Sequence, residues 1–364
     1  MNPAVNPTRP ADVRRMVVKL GTSTVAGDGG ALDRDRVSAL AAQIASLRAA
    51  GVGVVVVSSG AIAAGMAPLG LARRPSDMPT LQAAAAAGQP RLMDLYAGLF
   101  APHGVPVAQV LLTQYDIVQR RHYVNARNTI ERLLDLGAVP VVNENDTVAV
   151  EEIRYGDNDL LAALVANIVH AELLVMLSDV EGVFTADPRR GGMLLPTVEQ
   201  ITPEVVSGAA RGRSALGSGG MASKVEAARM ATLSGVGVVV ASGERPDVLV
   251  DIWKGEEIGT WFMPTRSRAQ ARKLWIAWAP RARGRILVDD GAMRALTEGK
   301  KSLLAAGVRS VEGTFTAGDA VEVVGPGGEV VAKGLVSFDS HVLAEVAGTK
   351  GAREVIHRDQ LALM

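Results

Sequence analysis

Up to about residue 260 the chain alternates short apolar runs with longer stretches in which apolar residues recur every three or four positions. The short runs are MVVKL (16–20), GVVVVSS (53–59), VPVAQVLLT, AVPVVNEN, ELLVMLSD and VGVVVAS. After the first, DRDRVSALAAQIASLRAAG sets Val37, Leu40, Ala41, Ile44 and Leu47 at helical spacing. Asp33 or Asp35 can cap that helix, and Gly51 ends it. Continuous Val/Leu runs, in place of alternation, predict strands buried on both faces. Right-handed crossovers then give a mostly parallel sheet between helical layers. In such sheets ligands bind beyond the carboxyl ends of the strands. The polar clusters fall at those ends: Lys19, Ser58-Ser59-Gly60, Asn143 to Asp146, and Ser178-Asp179.

From about 262 to 283 the texture changes, and the run PTRSRAQARKLWIAWAPRAR there is basic and contains proline. All four tryptophans lie between Trp253 and Trp278, and Trp commonly fills interfaces, so this stretch is expected to be a domain junction with a packed aromatic anchor. Beyond 284 come RILVDD, SLLAAGVRSVEG, the hairpin-like VVGPGGEVVAKG and a helix-like SHVLAEVAG. Gly-rich turns between short alternating strands predict a small β-barrel. The expected division is a first domain over 13–260, a linker over 261–283 and a second domain over 284–364.

The 364 residues suit two domains. Formal net charge is zero, which argues against a dedicated nucleic-acid binder. With no cysteine there are neither disulfides nor thiolate metal sites, and five scattered histidines lack metal spacing. The N-terminus lacks the apolar core of a secretory signal, and the apolar runs are far shorter than a membrane span. A cytoplasmic protein is expected.

Five constellations carry chemistry. Lys19, inside MVVKLG, is costly to bury without an anion. It precedes the Gly21 turn, whose amides suit phosphate, although a lysine snorkelling from a strand end is an equal reading. In SSGAIAAG (58–65) a helix start can hold a carboxylate or phosphate, or Ser can be a plain N-cap. NEND (143–146) follows a buried strand with more polar groups than a turn needs. There Asp146 and the Asn143 carbonyl oxygen offer acceptors to an ammonium. GDND (156–159) repeats the motif type at a predicted helix start. Finally LGSGGMASKVEAARM runs through a glycine loop into a helix beginning near Lys224. It has no Gly-Lys-Ser/Thr triplet, and Gly-Ser stretches are often linkers. Two lysines beside glycine turns and paired amide-carboxylate clusters suggest a kinase acting on an amino acid.

Six segments in order, VVKLGTS, SSGAIAAG, VPVVNENDTV, GDNDLLAALVA, LSDVEGVFTADPR and GSGGMASK, resemble the glutamate 5-kinase family, amino-acid kinases with a C-terminal PUA domain. The likeness spans nearly the whole chain. The PUA part is looser and rests on VDDGA, SLLAAGV and VIHRD. Sibling kinases for acetylglutamate, aspartate, carbamate and uridylate share the lysine-glycine start but not the NEND and GDND pairing. The resemblance implies an α/β fold, a three-layer sandwich with a mostly parallel sheet, plus a small β-barrel-like PUA domain. It implies ATP and Mg²⁺ as cofactors and phosphorylation of the side-chain carboxylate of L-glutamate, the first step of proline biosynthesis. It places glutamate at Ser59, Asp146 and Asn158, with Asn143 and Asp157. It places ATP at Lys19, Ser178, Asp179 and the loop Ser218, Gly219, Gly220, Met221, Ala222, Ser223 and Lys224. Lys19 and Lys224 face the transferring phosphoryl, and Asp159 orients them. No protein residue is assigned to a metal. A homo-oligomer is expected, with no membrane association. Ser58, where the family often has Thr, and Asn128, where an acidic residue is common, are small departures. Two rivals remain. An acetylglutamate-type kinase would not need Asp146. An RNA-binding role for the PUA domain is disfavoured because residues 284–364 hold nine Lys/Arg against eleven Asp/Glu.

Overall fold

The structure, a computed structural model, describes residues 13–26, 32–113, 116–117, 119–148, 157–211, 220–265, 276, 282–299, 301–349 and 354–364. The chain divides into two compact units that meet in sequence between residues 268 and 269. Among the described residues no helix is long and apolar enough to cross a membrane.

In the first unit the six apolar runs are strands: β1 (Arg15–Leu20), β2 (Gly53–Ser58), β3 (Val107–Leu112), β4 (Val139–Glu144), β5 (Leu173–Ser178) and, after the two-residue β6 (Thr197–Val198), β7 (Gly237–Ser242). With β8 (Thr260–Phe262) they form one sheet in the order β3-β4-β2-β1-β5-β7-β8-β6. The six long strands pair in parallel, and β8 runs antiparallel to β7. β6 and β8 are too short for hydrophobic periodicity to register. The helices are α1 (Thr22–Val25), α2 (Arg34–Ala49), α3 (Ala61–Met66), α4 (Met78–Phe100), α5 (Arg120–Asp135), α6 (Asp157–Ile168), α7 (Pro203–Arg211), α8 (Met221–Leu233) and α9 (Val248–Trp253). Asp33, the nearer of the two expected caps, accepts the Arg36 N–H at 3.0 Å. Gly51 closes α2 with φ +88°, a conformation that costs other residues more.

Strand alternation sorts side chains between two faces of the sheet. Val18, Leu20, Val56, Val141 and Val175 join α2, α4 and α9 in one continuous apolar core. Their neighbours Val17, Val55, Val57, Val142 and Met176 are equally buried on the opposite face. There α6 packs on β1, β2, β4 and β5, and α8 packs on β7 and α6. Lys19 shares a face with Val17 and so points toward α6. Ser58 and Asn143 share the other face, with α4. α3 and α4 approach at backbone distance: a Cβ on Gly65 would collide with the Ala84 carbonyl, and one on Gly88 with the Ala61 carbonyl.

The expected tryptophan anchor at the domain junction does not hold for the two tryptophans described. Trp261 lies in β8, 3% exposed, with its ring over Gly237, where a Cβ would clash. Trp253 packs on the core of the first unit. Trp275 and Trp278 lie outside the described residues.

The second unit has a five-stranded sheet in the order β11-β9-β12-β13-β15 and a separate pair, β10-β14. These are β9 (Gly284–Val288), β10 (Leu303–Leu304), β11 (Val308–Gly313), β12 (Ala320–Val324), β13 (Val330–Leu335), β14 (Glu354–Ile356) and β15 (Leu361–Leu363). The expected hairpin is β12–β13, antiparallel, and the SHVLAEVAG segment is the helix Ser340–Val346. Ile286, Leu303, Val321, Val323, Leu343 and Val355 are among its core residues.

Candidate active site

The carboxyl ends of β1, β2, β4 and β5 lie side by side, with Leu20 opposite Ser58 and Lys19 opposite Met176. On the α6 face three charged groups are buried together: Lys19, Asp159 and Lys224 are 4%, 1% and 5% exposed. Lys19 Nζ meets Asp159 Oδ1 at 2.6 Å and Lys224 Nζ meets Oδ2 at 3.3 Å. Ser223 Oγ also donates to Oδ2, at 2.7 Å. Lys19 is therefore no snorkelling strand-end residue. Asp159, in the first turn of α6, is no helix cap either; it is the counter-ion of two lysines drawn from β1 and α8. Burial pulls Lys19 below the ordinary lysine range, opposed by the Asp159 charge and reinforced by Lys224. Burial alone would raise the Asp159 carboxyl, yet the two lysines and the bonds from Lys19 and Ser223 hold it below the usual carboxylate range. Two lysines share one carboxylate in a water-poor setting, an environment suited to an anion. A Cβ on Gly21 would stand 3.6 Å from Lys19 Nζ, so the bare glycine leaves room for a phosphate beside the ammonium.

Across the sheet a second cluster is built from amides and hydroxyls. Asn158 Nδ2 faces the Ser59 Oγ at 2.9 Å, the Asn143 Oδ1 at 3.1 Å and the Ser58 carbonyl at 3.2 Å. Its own Oδ1 is buried and finds no hydrogen-bond donor among the described residues. Ser59 is not the N-cap of α3; Gly60 is, with φ +108°. Asn143 Oδ1, expected to receive an ammonium, accepts the Glu144 N–H at 2.9 Å as well as Asn158. Its two lone pairs are thus occupied within the protein, and Asn158 Oδ1 is the acceptor left for a ligand. Asp146, half-buried just past β4, has its carboxyl pushed up by burial to about 6, with Arg74 pulling the other way.

Residues that sequence reasoning passed over support this cluster. Gln89 of α4 accepts from Asn143 Nδ2 at 2.9 Å and donates to Gln109 Oε1 at 2.9 Å. Tyr96 of α4 shares a 2.7 Å hydrogen bond with Ser58 Oγ, and burial pushes its phenol well above the usual range. Both sit in an Ala-rich helix where no motif marks them; their one sequence signal is a polar group on the apolar face of α4.

The expected nucleotide residues are gathered less tightly. Ser178 and Asp179 hydrogen-bond to each other at 3.0 Å at the end of β5. Gly220 caps α8, and Met221, Ala222, Ser223 and Lys224 form its first turn. Ser218 and Gly219 lie outside the described residues, as does the side chain of Asp157, which opens α6. Among the described residues no group of three His, Cys, Asp or Glu could cage a metal ion.

Residues 14–242 match the amino acid kinase family, and residues 284–357 match the PUA domain. A glutamate 5-kinase of Myxococcus xanthus is 49% identical over 364 residues, covering 96% of each chain. One from Salinispora arenicola is 50% identical, covering 96% of this chain and 98% of its own. Another from Moorella thermoacetica is 45% identical over 97% of both.

Proposed function

The chain belongs to the amino acid kinase family and, within it, to the glutamate 5-kinases, and from that premise we propose how its residues divide the work. The reaction is the ATP-dependent phosphorylation of the side-chain carboxylate of L-glutamate, the first step of proline biosynthesis. Lys19 and Lys224 hold the transferring phosphoryl group, Asp159 positions both, and Ser59, Asp146 and Asn158 hold the amino acid. One observation supports the division: adjacent residues of one helical turn, Asn158 and Asp159, are committed to two different clusters.

A glutamate side chain has a reference pKa of about 4.3 and is ionised at neutral pH, so no general base is required. The obstacle is bringing one anion to another, and the remedy is positioning with charge neutralisation. Two lysine ammonium groups brought to one carboxylate set their N–H donors where phosphate oxygens can accept. Mg²⁺ fits as an ion carried in on the nucleotide and held by its phosphates, since both Asp159 oxygens are taken by lysines; it would neutralise phosphate charge there. The ammonium of glutamate goes to Asn158 Oδ1 and Asp146, which disfavours an acetylated amine. A cytoplasmic location, where ATP and glutamate are plentiful, completes the proposal.

The test is turnover with ATP, Mg²⁺ and hydroxylamine, which traps an acyl phosphate as a hydroxamate. L-glutamate should give hydroxamate and N-acetylglutamate should not. A variant Asn158→Ala should raise the KM for glutamate while that for ATP holds. Equal hydroxamate from the acetylated substrate would overturn the assignment of the ammonium site.

A further inference from the structure

A chain of side-chain amides runs from the edge of the sheet to the amino-acid cluster, and each link has a fixed direction. Gln109 Oε1 on β3 accepts from Gln89 Nε2; Gln89 Oε1 accepts from Asn143 Nδ2; Asn143 Oδ1 accepts from Asn158 Nδ2. The two ends of an amide are told apart by their partners. Asn143 is clamped on both sides, because the Glu144 N–H also points at its oxygen. Asn158 Nδ2 is thereby drawn among three acceptors, and its oxygen is turned out, buried and, among the described residues, without a donor.

We infer that Gln89 is a positioning residue that sets substrate specificity: by holding the Asn143 amide in one orientation it keeps Asn158 presenting an oxygen, and so selects an acceptor substrate that carries an ammonium. The inference rests on the assignment of Asn158 to the glutamate site. Without an acceptor at position 89, the Glu144 N–H is left as the one clamp described on the Asn143 amide, which can then turn its nitrogen toward Asn158 for part of the time. One of the three acceptors around Asn158 Nδ2 then becomes a donor, which weakens the hold of Ser58 and Ser59 on that nitrogen and lets the amide show its NH₂ to the ligand. An NH₂ facing an ammonium is repulsive and leaves a buried charge without a partner, whereas a ligand lacking the ammonium is indifferent to the change. Gln89 is 9% exposed and precedes Pro90, which lies inside α4. The proline has no N–H, so the Ala86 carbonyl loses its helical partner and α4 bends most easily here.

The test compares L-glutamate with glutarate, which keeps both carboxylates and lacks the ammonium. The readouts are the KM for glutamate and the Ki for glutarate as a competitor. Gln89→Leu is expected to raise the glutamate KM by about tenfold, the ratio of one hydrogen bond to a charged group, with the glutarate Ki and the ATP KM unmoved. Gln89→Glu still offers Asn143 an oxygen and should stay near the parent value; loss of discrimination there would overturn the inference even if Gln89→Leu fails to fold. Parallel weakening of glutamate and glutarate in Gln89→Leu would reduce Gln89 to simple packing and overturn it too. Asn158→Ala separates the two levels of argument. An unchanged glutamate KM in Asn158→Ala would sink the site assignment. A raised KM there beside an unmoved Gln89→Leu would sink only the role of Gln89.

Discussion

Replacing Asp159 by Asn keeps the shape of the side chain and removes the carboxylate that meets both Lys19 and Lys224. All three groups are at most 5% exposed, so water cannot compensate. Removing one partner of a buried ion pair costs about 3–5 kcal/mol, and here two cations lose the same partner. Asp159→Asn should therefore unfold at lower urea or temperature, with a loss toward the upper end of that range. Catalysis should change in a way that mere instability does not produce. Burial already lowers Lys19, and Asp159 is the force opposing it. Without that carboxylate Lys19 falls further, and a lysine is useful to phosphate only as an ammonium. Activity of the variant should then disappear as pH rises, and at a lower pH than in the parent. ATP, whose phosphates supply the missing anion, should restore stability to the variant by more than it stabilises the parent. The measurements are hydroxamate formation from pH 6 to 9 and urea unfolding with and without ATP. A variant as stable as the parent, with an unshifted alkaline limb, would refute the counter-ion role.

Three further outcomes follow from the same geometry. Lys224→Ala should lower kcat by about a hundredfold or more, the scale of one preorganised charge contact; near-normal turnover would remove it from the phosphoryl site. Asp146 has its carboxyl raised to about 6, above the unfolded reference of about 3.9. Only the ionised form attracts an ammonium, so the KM for glutamate should climb as pH falls through 6. Unliganded stability should decline slightly as pH rises between those two values, where the folded state binds more protons. Asp146→Asn should abolish both trends, and a pH-dependent KM persisting in that variant would point to another group. Gly65→Ala drives a methyl into the Ala84 carbonyl, an overpacking that costs about 1–3 kcal/mol. Because α3 carries the Ser59-Gly60 turn, the glutamate KM should rise more than that for ATP; a neutral thermal shift would contradict the backbone contact.

The sheet was legible in the chain because strands buried on both faces must be mostly apolar, and β1, β2, β4, β5 and β7 are, with polar residues confined to their ends. β6 and β8 escaped because two or three residues cannot establish a period, and the reversal of β8 leaves no mark in composition. NEND and GDND announced a site because so many polar groups after a buried strand or at a helix start exceed what a turn requires. Their division of labour was not legible. Whether Asn143 or Asn158 offers an oxygen depends on Gln89 and Glu144, which meet them only through the fold. Lys19 read alone was ambiguous; a carboxylate from residue 159 at 2.6 Å removes the ambiguity.

The sheet also acts as a partition. On the proposed assignment, phosphoryl chemistry lies on one side of it and acceptor recognition on the other, with the first turn of α6 as the doorway between them. Substitutions on the α4 side can change what enters without disturbing the machinery that delivers phosphate. A search for altered acceptor choice belongs at α4 and the ends of β2 and β4, and can leave β1 and α8 alone. Through the doorway, any tilt of that turn moves Asn158 and Asp159 together, so the occupant of one room is felt in the other.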